Sequence, residues 1–215
     1  MISYAITLES YLIPAEEGLM DKIKAGMLKI WEIIKKLIDK IKSFIIWIKN
    51  KFAKAKPSEK VNYSASLHSN IKKIIYGIRE EVDTCRRCCT LIKNPHEDIN
   101  KNSDTFNEAA EKIEDLRDNI FKDIRMGKRI MPNHVVSYID ALEHESRSLE
   151  SIRNEVKSFH VVNVDDNNVH ILTNMVMKLS NHINMTMNIV RDACNVEVTT
   201  VNKKFIHRPD IEKNN

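Results

Sequence analysis

Glycine and proline are scarce, four of one and five of the other in 215 residues, and aromatic side chains make up 6%. Many-stranded barrels and nucleotide-binding α/β folds use such residues in tight turns and ligand-enclosing loops, so both classes are disfavoured. The glycines stand at 18, 26, 77 and 127, too far apart for a dinucleotide fingerprint or a phosphate-cradling loop. Long apolar runs are missing too. The longest, Phe44 to Ile48, has five residues, against the roughly 20 needed to span a bilayer. Met1 to Ile13 contains no lysine or arginine and is interrupted by Glu9, which does not read as an export signal.

What remains is the composition of a helical protein, 42% hydrophobic and 30% charged. The formal charge of +4 is unevenly spread. Residues 19–56 hold eleven lysines against Asp21, Glu32 and Asp39, so this stretch carries +8 and the rest of the chain is acidic. Basicity confined to one segment points to an anionic partner or surface rather than to a general nucleic-acid coat.

The same segment has the clearest periodicity. Met20, Met27, Ile34, Ile41 and Ile48 recur every seven residues, and Ile23, Ile30, Leu37 and Phe44 repeat the interval offset by three. Trp31, Ile38, Ile45 and Phe52 widen this face on one side, Ile33 and Trp47 on the other, while Lys22, Lys29, Lys35, Lys36, Lys42 and Lys49 fall opposite. The pattern predicts one helix of about 55 Å, with Gly26 and Asn50 as places where it would break. Pro14-Ala-Glu-Glu17 has the chemistry of a helix start. The flanking positions lack the alternating acids and bases of an ion-pair-specified coiled coil. Large apolar side chains cost roughly 1.5–3 kcal/mol each when left in water, so something must cover them. Three coverings compete for Met27, Ile30, Trp31, Ile34, Leu37, Ile38, Ile41, Phe44, Ile45, Trp47 and Ile48. They are protein, either this chain's own C-terminal part or a helical partner, then an anionic membrane surface, and least of all nucleic acid, whose bases want aromatics among the cations.

Four further amphipathic stretches follow. Leu67, Ile71, Ile74, Ile78, Val82, Cys85, Cys89 and Ile92 mark the first, stopped by Asn94-Pro95. Phe106, Ala110, Ile113, Leu116, Ile120 and Ile124 mark the second, with Ser103 or Asp104 as its cap and Gly127 at its end. Val135, Ile139, Leu142, Leu149, Ile152, Val156 and Phe159 turn inward after Pro132-Asn133, leaving Asp140, Glu143, Glu145, Arg147 and Arg153 mostly outside. Val169, Leu172, Val176, Leu179, Ile183, Met187, Val190 and Cys194 make the last, which the pattern extends toward Phe205. The expected fold is all-α: a leader or cap at 1–18, a basic amphipathic helix at 19–56, an antiparallel four-helix bundle at 57–206, and a loose tail at 207–215.

Enzyme motifs are absent, and the chain is expected to be non-enzymatic with no cofactor. His144-Glu145 and His96-Glu97-Asp98 lack the second histidine of a zinc-protease helix, and Asp165 to Asn168 lacks the glycine and distal glutamate of a calcium loop and reads as a helix cap. Cys85, Cys88 and Cys89 share one helical face, so two thiolates would suit a soft metal, but Cys85 and Cys89 extend an apolar stripe and core packing is the stronger reading. Three cysteines within five residues suit no disulfide framework and favour a reducing intracellular compartment. Met175, Met177, Met185 and Met187 read as core filler, and His182 as a partly exposed polar contact.

The leader ITLESYLIPAEEG, followed by GLMDKIKAGMLKIWEIIKKLID, resembles tailed-phage internal head or prohead-core structural proteins. The resemblance covers the first quarter of the chain. It implies a virion location and cleavage after a small-x-Glu motif, here between Glu17 and Gly18. On this reading the protein is a structural or scaffolding component associating through its basic amphipathic helix with itself or another helical protein. The alternative is a membrane-surface-binding or membrane-perturbing protein using the same helix.

Overall fold

The computed structural model describes residues 3–52, 60–92, 99–158 and 164–194, with side chains of the first helix from Gly18 onward. Five helices make up the described chain: α1 (Ser3–Phe52), α2 (Ala65–Leu91), α3 (Asn100–Arg125), α4 (His134–Lys157) and α5 (Asp166–Cys194). The fold class is all-α, as expected from the composition.

The boundaries follow local chemistry. Ser64 caps α2 by accepting from the Leu67 N–H at 3.2 Å, and Asp165 accepts from the Asn167 N–H at 2.9 Å where α5 begins. Gly127 closes α3 at φ +80°, the left-handed conformation that glycine adopts without a Cβ penalty. Neither Ser103 nor Asp104 caps α3. That helix starts at Asn100 behind Ile99 with no side-chain cap, because buried Ile99 anchors the turn and its carbonyl accepts the Ser103 N–H. Helix α1 starts before Pro14 and breaks at neither Gly26 nor Asn50, so the composition change at Leu19 is not an element boundary. The linker around Pro57, Phe159, the extension toward Phe205 and the tail at 207–215 lie outside the described residues.

Separation of the N-terminal helix from the bundle is overturned. Helix α1 packs on α4 and α5, α2 packs on α3, α4 and α5, and α3 packs on α2 and α5; among the described residues no other helices touch. The ring of four is therefore α1, α4, α2 and α5, and α3 lies outside it, over the α2–α5 seam. Side-chain pairs fix the directions. Lys42–Glu150 and Lys49–Glu143, each 2.6 Å, run α1 and α4 antiparallel. His68–Tyr138 and Arg79–Glu145 make α2 and α4 parallel. Helices α1 and α5 are also parallel: Gly26 meets Val169, Lys40 meets Asn184, and Arg191 covers Trp47.

One apolar core runs through all five helices. Two close approaches help to set it. A Cβ at Gly26 would stand 2.5 Å from Val169 Cγ1 of α5, and one at Gly77 would stand 2.7 Å from Ile113 Cγ1 of α3. At one end, Ser64 N–H donates to Arg129 O at 2.9 Å, Arg129 N–H to Asn62 O at 2.8 Å, and Ile130 N–H to Ala193 O at 3.2 Å. These bonds tie the start of α2, the α3–α4 connection and the end of α5 together.

Candidate interaction surface

The apolar face of α1 is interior. Ile30, Ile34, Leu37, Ile38, Ile41 and Ile48 are at most 1% exposed, and Met27, Phe44 and Ile45 are buried with them. Trp31 and Trp47 pack against the core from its edge. Of the coverings expected for these residues, the chain's own C-terminal part, a partner or a membrane, the structure shows the first, with α4 and α5 over them. The physical reason is the width of the stripe, which spans two helix seams rather than the single seam of a coiled coil. The tryptophans sit where the core meets water. Lys35 Nζ lies 5.2 Å from the Trp31 ring centre, while Lys51 Nζ at 5.3 Å and the Arg191 guanidinium at 5.4 Å flank Trp47.

The lysines divide between two flanks. Lys42 and Lys49 are engaged by Glu150 and Glu143, whose carboxyls these hydrogen-bonded ammonium groups hold below the usual carboxylate range. Lys22, Lys29 and Lys36 stand exposed at intervals of seven along the side toward α5, with Lys35 on the other flank. Leu19 and Leu28 are exposed on the same helix. On α3, Asp104, Glu108, Glu111, Asp115 and Asp118 form an exposed acidic ridge opposite its buried Phe106, Ala110, Ile113 and Ile120.

Two buried carboxylates were not expected inside. Glu81 is fully buried and hydrogen-bonded to His182, its Oε1 2.7 Å from His182 Nδ1. Glu114 Oε1 of α3 lies 3.6 Å from His182 Nε2. Burial pushes the Glu81 carboxyl up, opposed by the His182 bond and the positive charges of His182 and Lys178. Among the described residues its Oε2 has no hydrogen-bond partner. His182 is thus a buried pairing group rather than a partly exposed contact. Glu145, 1% exposed, accepts from Arg79 Nε at 3.1 Å and lies 3.1 Å from His144 Nδ1. Both misplacements had a readable signal. Glu81 stands three residues after Ile78 and four before Cys85, and Glu145 stands three after Leu142 and four before Leu149, so each occupies its helix's apolar stripe.

Cys85, Cys88, Cys89 and Cys194 are buried thiols. Burial raises Cys88 to about 11 and Cys194 to about 12, and lifts Cys85 well above its ordinary value, so these sites are neutral and poorly nucleophilic. Among the described residues no group of three histidine, cysteine or acidic side chains is placed to hold a metal ion, and no helix is long and apolar enough to cross a membrane. Met175 and Met187 are buried, Met185 is half-buried and Met177 is exposed.

Two surface clefts lie between helices. One, about 500 Å³, lies between α1 and α5 and is floored by Phe44, Trp47 and Met187. The other, about 440 Å³, lies between α2 and α4, where Lys72, Arg79 and Arg147 surround Tyr76 and Tyr138. No protein-family model, curated protein or solved structure matches this chain.

Proposed function

We propose that this chain is a non-enzymatic helical structural protein that works by association, docking the outward lysines of α1 on an acidic protein surface. The supporting observation is that Lys22, Lys29, Lys35 and Lys36 remain exposed on a helix whose apolar side is already filled. Contact through such a face is electrostatic, so it is oriented by charge and weakened by salt. This reading moves the contact from the apolar ridge of α1 to its opposite side.

A scaffolding role inside an assembled particle, as the prohead-core resemblance implies, is one setting for such contacts. Cleavage between Glu17 and Gly18 suits it, because the cut falls ahead of Gly26, where α5 comes level with α1 at Val169. Neutral, buried thiols suit a reducing compartment. The membrane reading loses its apolar insertion surface to the core and keeps only the lysines.

The full chain titrated with poly-L-glutamate at low salt tests the proposal. Saturable binding that salt abolishes, and that Lys22→Glu, Lys29→Glu and Lys36→Glu together remove, is expected. Equal binding by that variant overturns it. Flotation with phosphatidylglycerol vesicles, accompanied by a blue shift of Trp31 and Trp47 fluorescence, would favour the membrane instead.

A further inference from the structure

Among the described residues, helices α1 and α3 do not pack on each other, and each has one face packed and one open. Between Lys22 and Lys36, α1 carries five lysines against Glu32 alone. Between Asp104 and Asp118, α3 carries six acids against Lys112 and Arg117. The spacing matches as well as the sign. Lys22, Lys29 and Lys36 repeat every seven residues, as do Asp104, Glu111 and Asp118, so each row spans about 21 Å. Most of these groups stay open to water. Asp118 has a local partner in Arg117 at 3.1 Å, and Glu114 leans inward toward His182.

From this complementarity we infer that the acidic surface met by α1 is the α3 ridge of a second copy of the same chain. The inference rests on the association proposed above and names its partner. The two faces lie on different helices, so each copy can set its basic row on the acidic row of another, either reciprocally in a symmetric pair or head to tail along successive copies. A reciprocal pair stops at two copies, whereas a head-to-tail contact continues to higher mass. Helix α3 is suited to the role because it lies outside the ring of four and, among the described residues, its outer side is uncovered.

Sedimentation velocity of the full chain across a concentration series is the test, with two charge-reversed forms. One carries Lys22→Glu, Lys29→Glu and Lys36→Glu, and the other Glu108→Lys, Glu111→Lys and Asp115→Lys. All six positions are exposed, and helical circular dichroism confirms that each form is folded. At about 10 mM salt, where the Debye length is ~30 Å, the unaltered chain is expected to gain mass with concentration, and to revert to single chains near ~1 M. Each reversed form alone should weaken association about tenfold or more, and an equimolar mixture of the two should restore it. Single-chain mass throughout at low salt overturns the inference, as does association that both reversals leave intact. Polyglutamate binding judges the α1 proposal separately, because it requires no α3 ridge.

Discussion

Gly26 is where the backbone of α1 comes nearest to α5, and its missing Cβ is a packing requirement. Alanine there gains about 1 kcal/mol of helix propensity, but its methyl would drive into buried Val169 at 2.5 Å. Gly26→Ala is therefore expected to lower stability, and Gly26→Ala with Val169→Ala to recover part of the loss. A urea double-mutant cycle measures this, and simple additivity would contradict it. His68 gives a second residue-level expectation. Its ring stacks on His134 at 3.7 Å, and burial, His134 and Lys72 lower its pKa. A histidine whose folded pKa lies below its unfolded value contributes full stability above about pH 6.5 and loses it as the pH falls toward the folded value. Stability should therefore fall from pH 7.5 to pH 5.5, and His68→Gln should flatten that slope in denaturant titrations. The residues hardest to read were Glu81 and Glu145. Their registers are internal, but the periodicity of a stripe does not reveal whether a partner such as His182 or Arg79 waits across the seam to compensate a buried charge.

At the scale of elements, the interior positions of all five helices were legible and the ends were less so. Every apolar residue assigned to the stripes of α2 and α5 is buried, because a packed stripe must return every three or four positions, whereas buried Glu81 and His182 were not read. The start of α3 was missed because Ser103 and Asp104 have cap chemistry wherever they stand, while the anchor is apolar Ile99. Helix α1 also exceeds its partners in length. At 50 residues it is about 75 Å long, whereas α5 has 29 residues and comes level with α1 at Gly26, beside Val169. Deleting residues 1–17 should accordingly leave thermal stability within about 0.5 kcal/mol of the full chain, since α5 comes level with α1 only at Gly26, beyond the cut. A loss of several kcal/mol in calorimetry would show that the first turns of α1 support the fold.

For the whole molecule, periodicity showed which face of each helix is buried but not against what. The apolar ridge of α1 was correctly read as needing cover, and its placement in the ring with α4, α2 and α5 depends on interlocking side chains that are far apart in sequence. The same arrangement bears on how the protein is made. Its first helix leaves the ribosome well before either helix that shelters it, since α4 begins at His134 and α5 at Asp166. A chain halted after Lys157 should consequently display a greasy strip to solvent, bind hydrophobic dyes and precipitate where the finished chain stays dispersed. During synthesis that strip has to wait, either held by a chaperone or loosely collapsed, until the final turns of translation bring its cover.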